Sequence, residues 1–129
     1  MIVDTSAVIA ILLNENDAQI YANAIVQADV CRMSAATFVE VSIVVEIQTK
    51  SAGSRQLDAF MRRAGITIEP VTEEHAHLAR QAFTDFGKGR HPAGLNYGDC
   101  FSYALAKATS EPLLFKGKNF AKTDLAAAR

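Results

Sequence analysis

An alternation constrains this chain more than any other feature. Short apolar runs recur along it, each followed by a longer stretch with helical spacing. Met1–Val3, Val30–Met33, Ile66–Ile68 and Leu113–Phe115 read as strands. Between them, Ala7–Leu13 reads as a buried helix, opened by the cap-type residues Asp4, Thr5 and Ser6. Ala18–Ala28 places Ile20, Tyr21, Ala24, Ile25 and Ala28 on one helical face, and Ser34 caps a further helix to about Thr49. Ser51-Ala52-Gly53-Ser54 reads as a break, after which Leu57, Phe60, Met61 and Ala64 mark an amphipathic helix that Gly65 ends. Thr72 opens a helix with the stripe Ala76, Ala79, Phe83 and Phe86; Gly87–Leu95 is a loop; Asn96 begins a small-residue, mostly apolar helix to about Thr109. Strands alternating with helices predict an α/β fold, a central parallel sheet of about four strands with helices on both faces. The length of 129 residues predicts one domain spanning 1–129.

Charge narrows the function. A formal net charge of −1 argues against a protein that coats nucleic acid by electrostatics alone. It leaves room for a metal-dependent enzyme, whose acidic centre binds cations and whose basic rim is only local. The longest apolar run, Ala7–Leu13, is too short to span a bilayer, and Met1–Asp4 lacks the basic start of a signal peptide, so a cytoplasmic location is expected. Cys31 and Cys100 sit in apolar segments and read as buried free thiols.

Three carboxylates stand where a core would be expected. Asp4 directly follows Ile2-Val3; as an N-cap it has an ordinary structural explanation, yet Thr5 and Ser6 could cap as well. Glu40 has Ile43, Val44 and Ile47 at helical spacing, which places a charge in an apolar stripe. Asp99 forms a capping-box pattern with Asn96, at the head of a helix almost devoid of other ionisable groups. Such acids repel one another unless a cation sits among them. Hard oxygen donors with few histidines suit Mg2+ or Mn2+, and such sites hydrolyse phosphate esters by metal-activated water. An aspartate-based phosphotransferase fits less well, because Ser6 stands where a second Asp is needed. A phospho-acceptor receiver domain lacks its paired acids.

These residues carry a resemblance over nearly the whole chain. Ile2-Val3-Asp4-Thr5-Ser6-Ala7, Ser34 to Glu40, Leu95-Asn96-Tyr97-Gly98-Asp99 running into Cys100 to Lys107, and Pro112-Leu113-Leu114-Phe115-Lys116-Gly117 resemble, in order and separation, PIN domains of the VapC toxin type. The resemblance implies a magnesium-dependent endoribonuclease, the toxin of a toxin–antitoxin pair, acting on tRNA or another structured RNA. It assigns Asp4 and Asp99 to the metal, adds Glu40 as the third catalytic acid, and gives Ser6 the task of orienting Asp4. It also implies a homodimer and a VapB-type antitoxin that lays a helix in an apolar groove, for which Ile9, Leu12, Leu13 and the Leu57–Met61 helix are candidates. The chain departs from the pattern at Asn119, where relatives often carry a fourth acid before Phe. Asn119 is therefore a supporting residue without charge, and a degenerate, purely partner-binding PIN domain stays open as the alternative. Lys88, Arg90, Lys116 and Lys118 are the candidate RNA contacts, with His91 and Lys122 nearby; Asp124 is read as a surface acid.

Overall fold

Successive residues of a strand face opposite ways, and the two innermost strands use this to seed two cores. In the computed structural model, which describes residues 1–49 and 51–128, β1 is Ile2–Val3 and β4 is Leu113–Leu114. Val3 and Leu114 enter one hydrophobic cluster; Ile2 and Leu113 enter the other. All four side chains are fully buried, as parallel strands covered on both faces require.

The sheet has the order β3-β2-β1-β4 and every pair is parallel, with β2 at Cys31–Ser34 and β3 at Ile66–Glu69. One face is covered by α1 (Thr5–Leu12), α2 (Ala18–Gln27), α3 (Ala35–Thr49) and α4 (Ser51–Ala64), whose Val8, Ile25, Val41 and Leu57 share a cluster. The other is covered by α5 (Glu73–Phe86) and α6 (Tyr97–Thr109), through Ala82, Tyr103 and Leu105. A short 3-10 turn, Phe120–Lys122, plugs Phe120 into that second core. The α/β sheet with helices on both faces is thus as the alternation predicts, and both cysteines are buried and free. Among the described residues, no helix is long and apolar enough to cross a membrane.

Several faces differ from the sequence reading. The core stripe of α3 is Thr37, Val41 and Val45, not the one through Ile43 and Ile47, which are 51% and 77% exposed. β-Branched residues fill both faces of α3, so periodicity alone could not choose between them. On α5, Ala79 and Ala82 are buried while Ala76 and Phe83 face outward, and Ile20 of α2 is exposed. Ser51–Ser54 form the first turn of α4 rather than a break. A Cβ on Gly53 would run into Thr49 Oγ1 and Val45 Cγ1, so the glycine permits close helix packing instead of ending a helix.

The chain winds outward from β1 through β2 to β3, then returns across the sheet to place β4 on the other side of β1. That reversal opens a crevice at the carboxyl ends of β1 and β4, where ligands of open α/β sheets bind. Asp4 is the first residue past β1.

Candidate active site

Asp4 is built in from two directions. It caps α1, its Oδ2 accepting from Ser6 N at 3.0 Å and from Ser6 Oγ at 2.7 Å. Its Oδ1 accepts from Ser102 Oγ at 2.6 Å, and the Ser102 hydroxyl also meets Thr37 Oγ1 at 3.1 Å. Asp4, Ser102 and Thr37 are all buried, so the carboxylate is fixed by three donors in an environment where an unpaired charge would be costly. Ser6 Oγ in turn accepts from Lys116 N at 2.9 Å, tying the segment after β4 to the same carboxylate.

Glu40 reaches the crevice from the second turn of α3. Its Oε1 accepts from Thr5 Oγ1 at 2.6 Å, and Oε2 is turned toward α6, where a Cβ on Gly98 would collide with the carboxylate. Glycine one residue before Asp99 thus makes room for the acid from the neighbouring helix. Burial pushes the Glu40 carboxyl up, the Thr5 hydroxyl pulls it down, and the charge of Asp4 raises it again.

Asp99 stands in the first turn of α6 in the capping box the sequence predicts. Asn96 Oδ1 accepts from Asp99 N at 2.9 Å, and Asp99 Oδ2 accepts from Asn96 N at 3.1 Å. Burial pushes its carboxyl up to about 6; the Asn96 N–H opposes this, and the charges of Asp4 and Glu40 add to it. Capping and clustering therefore coexist: Asp99 serves the helix end and also feels both other acids.

The donor set is chemically suited to a hard divalent cation, all oxygen and net negative. Among the described residues, however, no three acids, histidines or cysteines stand close enough to enclose an ion by themselves. Each carboxylate leans on its own hydroxyl or amide partner. Mg2+ is commonly held by one or two carboxylates with waters completing the shell, and the arrangement fits that mode.

Of the candidate RNA contacts, Lys88, Arg90 and Lys118 are exposed. The Lys116 ammonium is engaged with Glu15 and, at 2.9 Å, with Asp17, both past the end of α1. Asn119 is exposed and its side chain makes no cap hydrogen bond. Asp124 accepts from Tyr103 Oη and Lys107 Nζ on α6. His91 packs edge-on against Phe86 and its Nδ1 accepts from Ala93 N at 3.0 Å, an architectural use. Ser102, Thr37, Thr5 and Gly98 were not singled out by the sequence. Ser102 carried the one available signal, a hydroxyl one turn after Asp99 in an otherwise apolar helix. On the opposite side of the first core, α1, α2 and α4 bound an open groove of about 690 Å³ that includes Leu12, Ile25 and Phe60, with Arg55 and Arg63 at its edge. Leu57 is sealed in the core and does not reach that groove.

A four-stranded parallel sheet with three acids gathered at the carboxyl end of β1 defines a PIN-type domain, and the PIN domain pattern matches residues 1–125: the chain belongs to the PIN domain family. It is similar to proteins named as VapC ribonucleases. Ribonuclease VapC28 of Mycobacterium tuberculosis is 56% identical over 124 residues, covering 95% of this chain and 93% of that protein. The solved structure of Mycobacterium tuberculosis VapC20, described as a sarcin–ricin-loop-cleaving toxin, superposes with a TM-score of 0.78 at 15% identity, covering 97% of this chain and 95% of that one. VapBC2 of Rickettsia felis, solved bound to a DNA fragment of its promoter, superposes with a TM-score of 0.76 at 13% identity, covering 98% and 95%.

Proposed function

We propose that this protein is a magnesium-dependent endoribonuclease, the toxin of a toxin–antitoxin pair, which hydrolyses phosphodiester bonds in tRNA or another structured RNA. The observation that carries the reading is the approach of Asp4, Glu40 and Asp99 from three separate elements, near enough for their charges to act on one another, with no lysine or arginine among the groups that perturb Glu40 or Asp99. Uncompensated carboxylates at this density favour a bound cation. The name of the M. tuberculosis relative supports the nuclease reading.

In this reading Asp4 and Asp99 hold Mg2+, with Mn2+ as the alternative ion. When bound, a divalent ion lowers the pKa of a water and neutralises charge gathering on the phosphate. Ser6 and Ser102 keep Asp4 in one orientation, so no reorganisation accompanies the reaction. Glu40, one oxygen held by Thr5, orients the attacking water and accepts its proton through the other; its raised proton affinity suits that task. Lys88, Arg90 and Lys118 meet phosphates of the RNA, and Asn119 supports the site without adding charge. Lys116 acts from a distance, bracing the segment after β4 against Glu15 and Asp17.

A VapB-type antitoxin fits the groove between α1, α2 and α4, whose apolar floor suits the face of an amphipathic helix. The exposed apolar stripe Val39, Ile43 and Ile47 of α3 supports homodimer formation. A cytoplasmic site of action goes with an RNA substrate. The test is cleavage of total tRNA by purified protein in Mg2+, in excess EDTA, and by Asp4→Ala. Discrete fragments requiring both the metal and Asp4 are expected; fragments that persist in EDTA would overturn the reading.

A further inference from the structure

We propose that the apolar cavity between α5 and α6 is a nucleobase subsite, in which an unpaired base of the RNA stacks on Tyr97 beside the acidic centre. This inference rests on the ribonuclease reading and deepens it by naming what the site grips next to the cleaved bond.

Tyr97 and Asp99 share the first turn of α6. Tyr97 is 80% exposed, whereas Tyr21 and Tyr103 are buried in the cores. Its ring is steadied edge-on by Phe101, centroids 5.0 Å apart at 72°, which leaves the ring otherwise open to solvent. The cavity beside it holds about 340 Å³ and is walled by Ala79, Arg80, Phe83, Cys100 and Phe101. The fold does not require large aromatic rings on this surface; Phe83 and Tyr97 contribute little to either core.

Cations are interleaved with these rings. The Arg90 guanidinium lies over Phe83, 5.6 Å from the ring centre, Arg80 lines the cavity, and Lys88 is exposed in the same loop as Arg90. Among the described residues, none of the three forms a salt bridge. Aromatic faces for bases and free cations for phosphates are the combination by which proteins hold single-stranded nucleic acid. Tyr97 lies two residues before Asp99 and Cys100 one residue after it, so the cavity and the third acid are built on the same turns of α6. An acidic centre repels a polyanion, so cations close by are needed to seat it. A second copy of the chain is a poorer occupant, because a two-fold axis through this patch would set its arginines against each other.

The chain contains no tryptophan, so Tyr97→Trp introduces a single indole at an exposed position. In a Glu40→Gln background, which slows cleavage, a randomised RNA octamer in Mg2+ is expected to quench that indole as it binds. Tyr97→Ala in the same background should weaken the octamer by about five- to a hundredfold, while Tyr97→Phe stays within about twofold. An abasic octamer of equal charge should bind both variants alike. Equal affinity of Tyr97→Ala and the parent for the intact octamer would overturn the proposal. So would a Tyr97→Ala protein that sediments as a monomer where the parent is a dimer, with octamer affinity per site unchanged; the patch is then a self-association surface. A wild-type protein that neither binds the octamer nor cleaves tRNA in Mg2+ removes the ribonuclease reading itself, a result distinct from both.

Discussion

Ser102 Oγ donates to Asp4 Oδ1 at 2.6 Å, across 98 positions of sequence. With Thr37 in contact with the same hydroxyl, the bond joins α3, α6 and the end of β1 through buried polar atoms alone. Ser102→Ala leaves a carboxylate oxygen buried without its donor. Metal-free stability should fall by about 1–3 kcal/mol in urea denaturation, and Mg2+ should restore part of it by taking over the oxygen. An unchanged denaturation midpoint would mean that Asp4 does not depend on this bond.

Gly98→Ala separates helix propensity from site geometry. Alanine has the higher helix propensity, by up to about 1 kcal/mol in a helix interior and less in the first turn where Gly98 stands, so a purely local account predicts a protein at least as stable. The added Cβ would instead meet the Glu40 carboxylate. Expected is a rate of metal-dependent cleavage lower by about a hundredfold with the fold retained by circular dichroism, since displaced catalytic groups are that costly. Full activity would show that Glu40 can move without consequence.

The raised Asp99 carboxyl has a stability consequence whose sign is fixed. Its pKa rises from 3.8 to about 6 on folding, so between those values the folded protein binds more protons than the unfolded chain. Stability of the metal-free protein should therefore fall as pH rises from about 4 to 6, by at most about 3 kcal/mol from this group. Glu40, also raised, acts in the same direction. Thermal unfolding in EDTA across this window tests it; Mg2+ should increase Tm more at pH 7 than at pH 5, because the ion binds the charged form.

The α/β alternation, the parallel sheet and the capping box at Asn96 and Asp99 were legible because each rests on local pattern. Glu40 was singled out for the wrong neighbours. Its stripe through Ile43 and Ile47 faces outward, and what brings Glu40 to the site is Thr5 and the space at Gly98, both on other elements. Ser102 and Thr37 were invisible for the same reason: a hydroxyl in a helix acquires a role only when the fold sets a carboxylate beside it. Lys116 shows the converse. Its position beside the site was readable from the motif, but its two acidic partners lie about a hundred positions earlier in the chain.

Asp99→Asn joins these effects in one protein. The amide keeps the shape and can still accept from Asn96 N, so the capping box and α6 should survive. The substitution removes a partly buried charge that Asp4 and Glu40 oppose, so the metal-free variant should be at least as stable as the parent at pH 7. Its stability should also lose the part of the decline between pH 4 and 6 that belongs to Asp99. If Asp99 holds the ion as proposed, cleavage of tRNA in Mg2+ should drop below detection while the fold is unimpaired. Calorimetry with Mg2+ should show weaker binding than in the parent. A variant that is stable, flat in pH and still fully active would free Asp99 from the metal and leave it only the helix cap.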